Sequence, residues 1–185
     1  MKNIKFLSFI CAFTLFAAFN SCTQDIDPGG TAVESMCGEW VVYSADFDMS
    51  FLVRTSNTAA DDADKIMVTD RTAAGTSSEF WGFTVKANCD LAAKTFSCTN
   101  ADNEYWTETA GGVYTPYEIK ISIRGGKITE KAIELPSGVK ADKIEFEIWF
   151  EDIETAGAPA DYYCMITGYR KSGFFEDDDF VYTGE

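Results

Sequence analysis

Histidine is absent from this chain of 185 residues, which removes the one side chain that exchanges a proton near neutral pH without special surroundings. Ser-His-Asp and Cys-His nucleophilic sites are thereby excluded. Histidine-ligated zinc is excluded too, and no C-x-x-C pair stands in its place. Basic residues are scarce: 15 Lys and Arg face 30 Asp and Glu, for a formal charge of −15. A surface of that sign is repelled by phosphate backbones, so nucleic acid is not an expected partner. Long apolar runs are missing as well. The longest, Phe6 to Phe19, has 14 residues, against the roughly 20 that a membrane-spanning helix needs. After it, no stretch keeps a long helical period, and no internal repeat is visible.

What that apolar run does is set by its flanks. Lys2 and Lys5 precede it, and Asn20-Ser21-Cys22-Thr23-Gln24-Asp25 turns polar at once, which is the charged and then apolar pattern of a secretory signal. Phe19-Asn20-Ser21-Cys22 resembles the lipobox of bacterial lipoproteins, with Ser21 and Cys22 in place and Phe19 and Asn20 departing from its commonest form. The resemblance implies cleavage before Cys22 and acylation of its thiol. Two or more acyl chains on one residue hold a protein stably to a bilayer, each buried methylene contributing about 0.8 kcal/mol. Loss of residues 1–21 leaves 164 and moves the formal charge from −15 to −17. Residues 22–34, acidic and carrying Pro28-Gly29-Gly30, read as a flexible tether, and 35–185 as a single domain.

Within that domain the period is two. Ile119, Ile121 and Ile123 alternate with Glu118, Lys120, Ser122 and Arg124, and Ile144, Phe146, Ile148 and Phe150 alternate with Lys143, Glu145, Glu147 and Glu151, as half-buried strands require. Weaker runs are 40–47, 51–54, 65–69, 79–87, 94–99, 127–133 and 162–171. Gly125-Gly126 reads as a hairpin turn between two strands, and Asp90 to Ala93 as another. The expected fold is all-β, an antiparallel up-and-down barrel of about eight strands or a sandwich. Four cysteines of the domain, Cys37, Cys89, Cys98 and Cys164, have parities and spacings that disfavour pairing, so mostly buried free thiols are expected.

Gly38-Glu39-Trp40 near the start and Gly168-Tyr169-Arg170-Lys171 in the last strand resemble the calycin pattern, in which a G-x-W on the first strand meets a basic side chain from the last. That resemblance implies that Gly38, Trp40 and Arg170 close one end of a lipocalin-like barrel. The segments SNTAADDADKIMVTD (Ser56 to Asp70), FWGFTVKANCDLAAKTF (Phe80 to Phe96), LPSGVKADKIEFEIWFED (Leu135 to Asp152) and ITGYRKSGFFEDD (Ile166 to Asp178) resemble a family of lipocalin-like Bacteroidetes lipoproteins catalogued as lipid-binding putative hydrolases. It implies a lipid-like ligand such as palmitate, and a place in the outer membrane, periplasmic or facing outward. It also implies hydrolysis, for which the sequence carries no motif.

By strand parity the wall residues Trp81, Phe83, Val85, Ile121, Ile123, Phe146 and Ile148 face inward, and they serve equally to line a ligand cavity or to fill a core. The leading expectation is a non-enzymatic binding protein holding an apolar or amphipathic small molecule, touching the membrane only through its N-terminal lipid. The alternative is an interaction module that docks a glycan or a surface protein over a packed interior. A hydrolase built on two carboxylates comes third, since 30 acidic residues are present and no two are marked out. No cofactor or metal is implied. The runs Asp61-Asp62-Ala63-Asp64 and Glu176-Asp177-Asp178-Asp179 lack the spaced form of a calcium loop and read as solvated acidic loops.

Detergent partition tests the anchor. Mature protein is expected to begin at Cys22 and enter the detergent phase, while Cys22→Ala gives a soluble or unprocessed chain; unchanged membrane association of that variant refutes lipidation.

Overall fold

Alternating sequences gain by burying one face and wetting the other, and a sheet that curls until its first and last strands pair buries one face and leaves no open edge. The computed structural model describes residues 30–71, 80–109 and 111–184. The segment expected to be a signal, residues 1–21, and Cys22 lie outside them. The strands are β1 (Gly38–Ser44), β2 (Met49–Ser56), β3 (Lys65–Asp70), β4 (Thr84–Asp90), β5 (Thr95–Asp102), β6 (Trp106–Thr109), β7 (Val113–Pro116), β8 (Lys120–Glu134), β9 (Lys140–Phe150) and β10 (Cys164–Arg170). Eight form a closed antiparallel barrel in the order β1-β10-β9-β8-β5-β4-β3-β2, and β6 pairs with β7 as a separate hairpin. The all-β, eight-stranded barrel expected from the period is therefore the fold, and it is consistent with a lipocalin-like architecture.

Several local expectations are corrected. Gly125-Gly126 is no hairpin turn: β8 runs straight through it, and the two strands expected at Ile119–Arg124 and 127–133 are one. The pair forms a bulge, where the partner on β5 shifts from Phe96↔Gly126 to Cys98↔Ile123. A Cβ on Gly126 would overlap the Phe96 carbonyl and ring, so that position requires glycine, and Gly125, with φ +63°, is in the left-handed region that favours it. Residues 80–83 lie before the strand expected at 79–87, which begins only at Thr84. Val33 is fully buried, so Thr31 to Glu34, expected in the tether, belong to the folded unit. The four cysteines of the domain are free thiols, as expected, with Cys98 and Cys164 buried and Cys37 and Cys89 half-buried.

Up-and-down order places the β1–β2, β3–β4, β5–β8 and β9–β10 connections at one end, called here the mouth, and the chain's entry into β1 at the other. Between them lies the main core, including Val42, Val53, Ile66, Val68, Val85, Ile144 and Ile166. A second, smaller core sits outside the barrel wall. There Ile133, Leu135, Ala141 and Tyr169 are covered by Phe180 and Tyr182 of the C-terminal segment, and the Tyr169 hydroxyl lies 2.9 and 2.8 Å from the carbonyls of Asp177 and Phe180.

Asp177, expected in a solvated acidic loop, is instead buried. Its carboxylate accepts from the Ser137 N–H at 2.9 Å, the Ser137 hydroxyl at 2.8 Å and the Ser172 hydroxyl at 2.5 Å. Burial alone would raise its pKa, but the bonds from Ser172 and Ser137 outweigh burial and hold it below the ordinary carboxylate value. A depressed folded-state pKa stabilises the fold above the unfolded-state pKa, and that contribution fades as pH falls through the folded-state value. Urea unfolding below pH 4 should accordingly show a smaller loss of stability in Asp177→Asn than in the parent; parallel pH profiles would remove Asp177 from this role.

Candidate functional site

The two ends of the barrel are closed by different means. At the entry end Trp40 is fully buried and donates its indole N–H to the Thr55 hydroxyl at 2.8 Å, which itself donates to the Met36 carbonyl at 2.6 Å. Trp40 and Arg170 are direct partners in the β1–β10 pairing, and the guanidinium stands 4.5 Å from the indole ring centre. Arg170 also donates to Asp142 at 3.0 Å and to the Cys37 carbonyl. Its terminal nitrogen occupies the space that a Cβ at Gly38 would fill, which gives the G-x-W glycine its physical reason. A short 3-10 turn, Glu34–Met36, seals the base with Met36 buried.

At the mouth the stopper is aromatic and is supplied largely by connecting segments. Phe80 stacks on Phe51 with centroids 4.2 Å apart and planes at 9°, and Trp81 stacks on Phe150 at 4.7 Å and 7°. Phe47, in the β1–β2 turn, meets the rings of Phe80 and Trp81 edge-on at 5.6 and 5.7 Å. The parity expected for a strand over 79–87 put Phe80 opposite Trp81. Gly82, with φ +65°, breaks the extended run, so both rings reach into the mouth.

Three polar side chains hold the segment in place. Buried Asp70 accepts the N–H groups of Phe80, Trp81 and Gly82 at 3.1, 3.3 and 3.2 Å. Asn103 accepts from Thr84 at 2.9 Å and donates to the Gly82 carbonyl at 3.2 Å. Asp152 accepts the Trp81 indole N–H at 3.0 Å and the Tyr117 hydroxyl. Burial, the bond to Asp152 and its negative charge together raise the Tyr117 pKa strongly, so that hydroxyl stays protonated.

Of the expected wall residues, Phe83, Val85, Ile121, Ile123, Phe146 and Ile148 are all buried inside the barrel, and Trp81 is half-buried at its mouth. Their rings and branches meet one another: Phe83 packs on Phe150 and Phe96 on Phe146, each pair at 5.7 Å. Ser44 and Cys164 bring polar groups into this apolar interior. Ser44 is fully buried and its hydroxyl has no hydrogen-bond partner. Cys164 is buried among the same core residues, and desolvation, with Asp46 adding its charge, pushes its thiol up to about 12. Among the described residues no group of three or more metal-ligating side chains converges, and no helix is long and apolar enough to cross a membrane.

Phe47, Phe80, Asp70, Asn103 and Asp152 were not singled out by sequence. Phe80 and Trp81 carried a signal in the glycine beside them. The three polar residues carried none, because each acts on a segment distant in sequence.

Replacing Arg170 by Met keeps much of the stem's bulk while removing the cation over Trp40, the bond to Cys37 and the pairing with partly buried Asp142. A loss of about 2 to 3 kcal/mol is expected, larger than for an exposed ion pair because Asp142 is left without its partner. Equilibrium urea unfolding measures it; a change below about 0.5 kcal/mol, the size of a neutral surface substitution, would show that closure rests elsewhere.

No curated protein matches the chain. The model of the family described as "Lipid-binding putative hydrolase" matches residues 25–175, which takes in every strand of the barrel. A lipid-binding role is what that match and the apolar-lined barrel together support, and the chain belongs to this family of lipid-binding proteins.

Proposed function

We propose that this is a lipid-anchored extracytoplasmic binding protein, held to the outer membrane through Cys22, that takes an apolar or amphipathic lipid-like molecule through the mouth of its barrel. The observation that carries the reading is the unequal closure of the two ends. The base is fixed by strand residues locked in a hydrogen-bonded and cation–π network, whereas the mouth is stopped by half-buried Phe47, Phe80 and Trp81, rings carried on a turn and a connection. Rings that rest on loops can swing aside without breaking a strand pair, so the mouth is the end through which an acyl chain can enter. The unpartnered hydroxyl of Ser44, the last residue before the β1–β2 turn, offers a polar ligand atom a hydrogen bond.

The reading is non-enzymatic. Besides the lack of histidine, the Asp70 and Asp152 carboxylates at the mouth are engaged in holding the segment that carries the stopper, and burial holds the Cys98 and Cys164 thiols above their ordinary pKa. A second reading, docking to a surface protein or glycan, is favoured by one feature: Trp106, Tyr114 and Pro116 are exposed on the β6–β7 hairpin.

Burying ten methylenes is worth up to about 8 kcal/mol before ordering and association costs, so micromolar affinity is attainable. Titration of a fatty-acid and retinoid panel against tryptophan fluorescence is expected to show saturable binding, weakened at least about tenfold, or roughly 1.4 kcal/mol, by Phe83→Asp in the wall and Phe47→Glu at the mouth. Circular dichroism establishes that each variant is folded. Absence of binding across the panel, or binding indifferent to both charges, returns these aromatics to a purely packing role and favours the docking module.

A further inference from the structure

The bulge at Gly125-Gly126 does more than bend β8. Where the β5–β8 ladder slips between Phe96↔Gly126 and Cys98↔Ile123, the wall loses a side chain at Gly126, and a groove of about 440 Å³ opens beside it. That volume is within the roughly 300 to 1,000 Å³ range of small-molecule sites. Its deep residues are Phe96 and half-buried Cys89, and its rim is polar, with Asn88, Thr95, Ser97 and Lys127.

The charge around the groove points to the kind of molecule it suits. On β8, Lys120 pairs with Asp102 and Arg124 with Glu147, and Lys94 in the adjoining β4–β5 turn pairs with Glu130 at 2.5 Å. Lys127, directly opposite Thr95 on β5 and Glu145 on β9, forms no ion pair with any described residue, Glu145 being paired with Lys143. Lys131 and Lys140 likewise form no ion pair with a described residue, but of these three lysines it is Lys127 that lines the groove. The acid on the rim, Asp90, is turned to its own backbone, accepting the N–H groups of Ala92 and Ala93 at 2.9 and 3.0 Å. On the far rim Lys65 donates to Asn88 at 2.5 Å, which brings a second ammonium to the edge, though one already beside Asp64 at 3.5 Å.

We infer that this groove, on the β4–β5–β8 wall and separate from the mouth, binds an amphipathic anion, a long-chain carboxylate whose head pairs with Lys127 and whose chain lies over Phe96 and Cys89. The pairing supplies the partner that Lys127 lacks, and an apolar floor beneath a lone cation favours a single-headed anionic amphiphile over a neutral or cationic one. Phosphate alone would gain the charge and leave the floor wet.

The test titrates the full folded domain with dodecanoate, with dodecanol and dodecyltrimethylammonium as neutral and cationic counterparts of equal chain length. It reads affinity and, independently, the rate at which iodoacetamide modifies Cys89, resolved by peptide mass mapping. Dodecanoate is expected to bind at least about tenfold tighter than either counterpart and to slow modification of Cys89 severalfold. Lys127→Glu, an exposed exchange, should abolish the preference for the anion, and Ser97→Trp, which fills the groove from its rim, should abolish the protection. Protection of Cys89 that persists in Phe47→Glu marks the groove as independent of the mouth. Should Lys127→Glu leave both affinity and Cys89 protection unchanged while Phe47→Glu removes binding, the groove assignment falls and the mouth reading stands. Equal affinity for all three amphiphiles, or a Cys89 rate that none of them alters, also overturns it.

Discussion

Everything inside this barrel depends on the pairing of its first strand with its last. An open eight-stranded sheet would expose two edges and could not keep both halves of its apolar face dry; closing it turns that face into an interior. The register of the seam decides which residues go in, because a slip of one position would turn Trp40, Val42 and Ser44 outward. Arg170 is well suited to pin that register. It stands over Trp40, bonds Asp142 on β9 and reaches the Cys37 carbonyl just before β1, so three parts of the chain meet on one planar, permanently charged group. Tyr169, next to it and facing outward, ties the C-terminal segment over the same seam. Adjacent residues of β10 thus secure the closure from its two sides.

The parts of the fold that follow from alternation could be read directly. β8 and β9 bury Ile121, Ile123, Phe146 and Ile148 because each strand places every second side chain on the dry side, a property of two neighbouring residues that needs no knowledge of the rest. What depended on distant partners could not be read. Gly125-Gly126 has the composition of a hairpin turn, and only the pairing of β5 along its flank makes it a bulge. Asp177 sits among four consecutive acids, and its burial follows from meeting Ser137 and Ser172. The β6–β7 hairpin escaped notice for another reason: both of its faces are largely exposed, so no alternation of apolar and polar residues is imposed on it.

The mouth shows the same division. That Phe83 and Val85 face inward was legible from β4, but the positions of Phe80 and Trp81 are set by Asp70, which gathers three successive N–H groups into one carboxylate oxygen. Such a concave run of amides is what binds anions elsewhere in proteins; here the anion is the protein's own. The stopper is therefore anchored at its backbone by Asp70 while its rings rest on one another, an arrangement in which Phe47 and Phe80 can change rotamer and leave the support untouched, and Trp81 can do so at the loss of its indole bond to Asp152.

Packing density then sets the terms on which a ligand can be held. Phe83, Phe150, Phe96 and Phe146 touch across the interior, and a close-packed core has no room for an acyl chain unless side chains move. An apolar guest replaces one set of dispersion contacts with another, so moving the mouth rings costs less than opening a strand pair would. The base does not yield in that way, because displacing Trp40 would break its indole bond to Thr55 and its stacking beneath Arg170 at once. A polar group left unpaired inside costs about 1 to 3 kcal/mol, and the Ser44 hydroxyl bears that cost in the unliganded barrel. A ligand that met it with a hydrogen bond would recover part of the free energy needed to displace the rings.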